Sequence, residues 1–392
     1  MDSLIAANIA QRPLRTAISI FGVALGVILM TLFVGLSHGM MRDSAQRQAN
    51  VDAEIRFLPS GDIKLAGNPL MLPERYAKVI VEGVGPTAED PDIQPKPPVA
   101  GVVATSPVGE YVQGSVAGIG FEVVDGIDYQ SFTASTRLNI VKGRGLGDGR
   151  AAGSQYEAIV DRYYADMGRD KDGNRVQLAS TITVLGHDFK VVGIYEPSVL
   201  GRVKIPLYTM QQLLGGAANC TFVMVKCERP ELADRVIEEL RSYYPGNHVI
   251  ATSEIPALYS QSFGLVEVFL NVVIGLSLVI SVLVILLAMY TTIIERTREI
   301  GILKSLGASK RFIVLTIEKE AALISVMGVV FGFIIAVLGK LWLEANTRLL
   351  VEMEPKWLLI AAVIGLAGGI IGAIYPAMRA ANLDPVEAIS YD

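Results

Sequence analysis

AISIFGVALGVILMTLFVGL, residues 17–36, contains no ionisable side chain. Such a run meets the requirement of about 20 apolar residues for an α-helix that crosses about 30 Å of hydrocarbon. Three more runs of this kind follow at 268–294, 321–343 and 357–377, and Lys340 is the only Asp, Glu, His, Lys or Arg in them. A helix satisfies its own backbone in lipid, where loops and open strands cannot. Four such runs in a chain of mean hydropathy +0.44 argue against buried core helices of a soluble protein. The layout therefore predicts a membrane α-helical fold of four transmembrane helices, one plus three. A large extracytoplasmic mixed α+β domain is inserted between helices 1 and 2.

Charge next to the spans sets their expected direction. Arg12 and Arg15 precede the first span, Arg296, Arg298, Lys304, Lys310, Arg311 and Lys319 fill the second connection, and Arg379 follows the last span. The third connection has Arg348 and Lys356 against Glu344, Glu352 and Glu354. The positive-inside rule then places both termini and the 295–320 connection in the cytoplasm and the inserted domain outside. The expected segments are a cytoplasmic interfacial helix 1–16, helix 17–37, the domain 38–265, helix 266–294, the connection 295–320, helix 321–343, a short external loop 344–356, helix 357–378 and a cytoplasmic tail 379–392. The first span exceeds a typical signal-peptide core and is followed by Ser37-His38-Gly39-Met40, which offers no small-x-small cleavage site, so it reads as an uncleaved anchor.

In the inserted region the apolar runs shorten and alternate, the pattern of strands mixed with a few helices. Residues 53–58 read as a first strand. Residues 83–107, with five prolines before Pro107, read as a long loop dividing two subdomains. Residues 181–185 and 189–195 read as a hairpin about Gly186-His187-Asp188. Val236, Ile237 and Leu240 mark an amphipathic helix over 232–243 packed on the sheet. Cys220 and Cys227 flank a strand-like run, which holds them about 23 Å apart and therefore unpaired.

Several activities lack their residues. There is no G-x-x-x-x-G-K-[ST] phosphate loop, so ATP binding in this chain has no motif. His38, His187 and His248 sit outside the spans and outside H-E-x-x-H spacing, which leaves a metalloprotease or an intramembrane serine protease without ligands or base. The spans hold no mid-membrane carboxylate, histidine or arginine, so an ion-coupled carrier is unsupported. No catalytic residue, cofactor site or metal site is expected, and a net charge of −5 points to no nucleic-acid partner.

Small residues at four-residue spacing occur as Gly22 and Gly26, Gly328 and Gly332, and Gly365 and Gly369 with Gly368 and Gly372. Such pairs let helix backbones approach closely in lipid. For Gly22 and Gly26, packing within the chain and a dimer interface stand equal. The sharpest local pattern is ERTREIGILKSLGASK, residues 295–310. Ile302, Leu303 and Leu306 share one helical face, Arg298, Lys304 and Lys310 surround the other, and Gly307 offers a helix stop. An exposed apolar stripe on a short helix needs a cover, either a second protein or the lipid surface.

Residues 295–301 with Leu303-Lys304-Ser305-Leu306-Gly307-Ala308 closely resemble the signature of the FtsX/MacB-like permeases of ABC transporters. Pro376-Ala377 and Ala380 to Ile389 resemble that family's ending, and Val191 to Tyr195 and Lys204 to Leu207 match its external domain. The likeness covers nearly the whole chain. It implies a mechanotransmission permease that works as a dimer, homodimeric or with a close homologue, with ATP and Mg held by a partner ATPase subunit. A fused ATPase would precede the first span, where only residues 1–16 lie, so a separate polypeptide is expected to supply it. The resemblance makes Glu295, Arg298, Glu299, Gly301, Ile302, Leu303, Lys304, Leu306, Gly307 and Lys310 the ATPase-coupling element, with Asp384 and Pro385 as a second cytoplasmic contact. Residues 3–11 resemble its interfacial helix, equally read as a plain membrane-surface helix. The implied work is export or extraction of a lipid, lipoprotein, peptide or drug-like molecule, with a periplasmic adaptor or lipoprotein as a further partner. Relatives that activate a cell-wall hydrolase or relay a signal supply the alternative; their external domains tend to be much smaller.

Overall fold

A computed structural model describes residues 13–61, 70–84, 96–114, 121–151, 153–255, 257–258, 264–347, 349–385 and 388. The interfacial helix expected at the N-terminus therefore falls, over residues 1–12, outside the described residues. The chain divides into two compact units, Met1–Met40 with Phe263–Leu343 and Leu350–Asp392, and Met41–Ser262 with Glu344–Leu349. Helix α1 (Pro13–Ala49) contributes to both. It continues beyond its apolar run without a break, because residues 37–49 contain no proline and form a polar helical continuation.

The inserted unit is a mixed sheet flanked by short helices. Its first half holds β1 (Ile55–Leu58), β2 (Leu72–Pro73), α2 (Arg75–Glu82), β3 (Val102–Gly114), β4 (Phe121–Ile127), α3 (Tyr129–Ala134) and β5 (Asn139–Gly143). Its second half holds β6 (Glu157–Asp161), α4 (Arg162–Met167), β7 (Thr181–Val184), β8 (His187–Glu196), β9 (Val203–Pro206), α5 (Leu207–Leu214), β10 (Asn219–Cys220), β11 (Phe222–Cys227), α6 (Ala233–Tyr243) and β12 (His248–Ala251). Ten strands form one sheet in the order β12-β1-β11-β3-β4-β9-β6-β8-β5, with β7 paired to β8. The β4/β9 and β6/β8 pairs are parallel.

The strand at 53–58, the hairpin and the amphipathic helix are found, with changes at their edges. The hairpin turn is only Leu185-Gly186, both at positive φ, so β8 starts at His187, which faces Val184. A two-residue turn with positive φ at both positions matches the twist of the flanking strands. The long loop ends earlier than expected, at Val102, and Pro107 lies within β3 opposite Val223. The other neighbour, β4, pairs only from Val108 onward, so one flank is open at Pro107, the position in a sheet that tolerates a missing N–H. Nor does the loop divide two subdomains: β1 precedes it, β11 and β12 follow it, and all three are adjacent in one sheet. Helix α6 buries Val236, Ile237 and Leu240 against a core containing Phe57, Val223 and Val225. Cys220 and Cys227 are buried free thiols, and burial pushes Cys227 up to about 11.

After the inserted unit come α7 (Gly264–Glu295), α8 (Thr297–Ser305), α9 (Lys310–Asn346) and α10 (Pro355–Ala381). Helices α1, α7, α9 and α10 are each long and apolar enough to cross a membrane. Their glycines admit neighbouring backbones and side chains. A Cβ on Gly328 or Gly332 would press on Val23 or Val27 of α1, one on Gly365 on Val329 and Val27, and one on Gly372 on the Val282 carbonyl and Ile285. The resulting core contains Val23, Val27, Met30, Ile285, Met289, Ile324 and Ala373. Close approach replaces the hydrophobic drive that lipid cannot supply.

Candidate functional site

The candidate site begins where α7 stops. Arg296 leaves helical geometry between α7 and α8, and the buried Thr297 hydroxyl donates to the Ile293 and Ile294 carbonyls at 2.9 Å, which fixes the start of α8. Ile300 and Gly301 point inward. Ile302 is 46% exposed, Leu303 43% and Leu306 81%, which makes this face an apolar stripe on an otherwise polar segment. The C-terminal end is closed by a Schellman arrangement: Gly307 N–H donates to the Lys304 carbonyl and Ala308 N–H to the Leu303 carbonyl, both at 3.0 Å. Gly307 has φ +91°, the left-handed cap that glycine adopts without a Cβ penalty.

Among the charged members of the predicted coupling set, Arg298 and Glu295 are exposed. Lys304, Lys310 and Glu299 make the following contacts. Lys304 Nζ donates to the Ala381 carbonyl at 3.0 Å and to the Leu383 carbonyl, while Lys310 Nζ donates to Asn382 Oδ1 at 2.8 Å. Both lysines thus bind the end of α10, where the last carbonyls have no helical partner. Glu299 accepts from Arg296 Nε at 2.8 Å, and Arg296 also lies 3.6 Å from Glu320. Beneath the stripe is a cavity of about 60 Å³ lined by Leu303, Ile300, Phe312, Ile313, Arg296 and Glu320, among others. Asp384 is exposed and Pro385 half-buried.

Gly22 and Gly26 face α7. A Cβ on Gly22 would overlap the Val284 side chain, and one on Gly26 would lie 3.0 Å from Ser281 Oγ and 3.1 Å from the Ser277 carbonyl. These contacts belong to packing within the chain.

A second constellation escaped sequence reasoning. At the end of α1, Asp43 accepts from Arg202 Nη2 at 2.6 Å and from Arg47 Nε at 3.0 Å. Arg202 Nη1 donates to the fully buried Asp161 at 2.7 Å, and its guanidinium lies 4.1 Å over the Tyr163 ring. Arg47 also donates to the Leu200 carbonyl, Asn50 Nδ2 to the Ser198 carbonyl at 2.8 Å, and Arg56 to Gln48. Deeper in the sheet, the fully buried Lys204 pairs with Asp125, also fully buried, and donates to the Gly201 carbonyl at 2.6 Å. Burial pushes the Lys204 amine below its ordinary range. Burial, and then the neighbouring Asp125 charge, raise the Glu110 carboxyl to about 7. The only sequence hint was the i,i+4 pair Asp43 and Arg47; Arg202 is 159 residues from Asp43.

Among the described residues no three His, Cys, Asp or Glu side chains are grouped to hold a metal ion.

The profile of the MacB-like periplasmic core domain matches residues 16–243, and that of the FtsX-like permease C-terminal family matches 271–385. An uncharacterized ABC transporter permease of Methanocaldococcus jannaschii is 22% identical, with 97% of this chain and 95% of the relative covered. The pyoverdine export ATP-binding/permease protein PvdT of Pseudomonas syringae pv. tomato is 23% identical over 96% of this chain, which spans 57% of that longer protein. The crystal structure of the periplasmic region of MacB from Actinobacillus actinomycetemcomitans covers 56% of this chain and 98% of its own, with TM-score 0.36 and 15% identity.

Proposed function

Because this chain belongs to the ABC transporter permeases of the MacB/FtsX type, we propose that it couples ATP hydrolysis on a partner ATPase subunit to movement of its inserted domain. That movement exports or extracts a lipid, lipoprotein, peptide or drug-like molecule on the outer side of the cytoplasmic membrane. ATP and Mg reside on the partner, both termini and α8 are cytoplasmic, and the active form contains a second permease protomer. The export function named for a relative supports export over signal relay, as does the size of the inserted domain.

The observation that carries this reading is the apolar face of α8. Ile302, Leu303 and Leu306 are held outward on a capped helix whose base is pinned to α10 by Lys304 and Lys310. Such a helix cannot shed load by fraying, so force applied to the stripe passes into α7 and α10. Helix α1 supplies the second element, since it runs unbroken from its apolar run to the Asp43–Arg202 contacts. Changing Leu303 and Leu306 together to Asp places two charges in the docking surface, where unpaired burial is costly. Membrane insertion should be retained while the ATPase no longer co-purifies; co-purification and ATP turnover at the unaltered level would refute the assignment.

A further inference from the structure

We propose that the cavity between the ends of α7 and α10 binds the head group of a membrane phospholipid of the phosphoethanolamine class. The cavity, about 170 Å³, is lined by Tyr290, Thr297, Pro376, Arg379, Leu383 and Asp384, among others. Arg379 Nη1 donates to the Tyr290 hydroxyl at 2.7 Å, and its guanidinium lies 4.9 Å over the Tyr290 ring. These two contacts hold the guanidinium plane in place, and it makes no other hydrogen bond to the described residues. Its remaining N–H fork suits a phosphate, which it can grip through two parallel hydrogen bonds.

Asp384 determines which phosphate. A carboxylate in the same wall opposes a head group of net negative charge and complements one that also carries an ammonium. A primary ammonium donates hydrogen bonds to that carboxylate, and a quaternary one has no N–H to give. The apolar remainder of the lipid has a surface to follow. On α7, Leu287 and Ile294 share the Tyr290 face, and on α10 Tyr375 shares the Arg379 face at i,i+4 spacing. Leu287 is 63% exposed, Ile294 44% and Tyr375 55%, so apolar side chains lead along both helices to the cavity.

The full-length chain, purified and delipidated, is exposed to equal amounts of phosphatidylethanolamine, phosphatidylglycerol and phosphatidylcholine with identical acyl chains, and retained lipid is counted by native mass spectrometry. Phosphatidylethanolamine should be retained about tenfold over the other two, the size of one charge-assisted contact. R379A should erase that preference, R379K should keep part of it and so report on folding, and D384N should bring phosphatidylglycerol level with phosphatidylethanolamine. Equal retention of the three lipids by the unaltered chain, or an unchanged preference in R379A, would overturn the proposal. Displacement of the lipid by soluble glycerophosphoethanolamine would also overturn it, by assigning the cavity to a water-soluble ligand. The measurement involves no ATPase, so its outcome is separate from that of the coupling reading.

Discussion

Helix α8 and the polar end of α1 reverse the ordinary distribution of side chains in opposite ways. In α8, Ile302, Leu303 and Leu306 are turned out of the fold. At the end of α1, Asp43 and Arg47 are drawn in among Arg202, Asp161 and, through the sheet, Lys204 and Asp125. An exposed apolar stripe gains stability only when something covers it. A buried ion network adds little net stability, yet losing one member is severe because an uncompensated charge is left behind. The first design suits a surface that docks a partner. The second suits a joint that must keep its geometry under load.

The contrast breaks most strongly at the buried joint. Asp125→Ala leaves Lys204 enclosed without its counter-charge, and should cost about 3–5 kcal/mol, read as a shift in urea unfolding of the full chain. A cost below about 1 kcal/mol would mean that the joint is hydrated and does not act as a rigid unit.

Proton binding sharpens the same point. The folded pKa of Glu110 is raised from 4.5 to about 7. A raised carboxyl stabilises the folded state fully below the unfolded value and loses that contribution as pH rises through the folded one. The inserted domain should therefore be more stable at pH 5 than at pH 8, by roughly 2–3 kcal/mol from Glu110. Glu110→Gln should flatten that slope, and an unchanged slope in the variant would remove Glu110 as its source.

A smaller effect is expected within the bundle. Gly22→Val drives a side chain into Val284 and should cost about 1–3 kcal/mol of stability, as overpacking does. If the variant loses dimer and keeps monomer stability, the glycine faces a second protomer after all.

The same contrast marks what could be read from the sequence. The four spans are legible because lipid enforces long apolar runs with no internal exceptions. Residues 295–310 are legible because a stripe, a charge ring and a stopping glycine fall within one short segment, where helical spacing relates them. The joint is not legible. Asp43 reaches Arg202 across 159 residues, and charged side chains are ordinarily read as solvated. Lys204, fully buried, defeats that reading. Lys304 and Lys310 illustrate a further limit. Their positive charge beside the spans is plain in the sequence, but their partners are the carbonyl and amide oxygens of residues 381–383, which no local pattern could announce. For Gly22 and Gly26, spacing shows that a close approach exists and says nothing about which chain makes it.

The proposed coupling puts an ATPase subunit over the stripe on α8. Its most direct test is a photo-crosslinking side chain at Leu306, the most exposed member of the stripe, activated in native membranes and followed by mass spectrometry of the adduct. A crosslink to an ABC ATPase subunit is expected. A crosslink to lipid alone would contradict it, because the stripe would then lie on the bilayer surface and transmit no force.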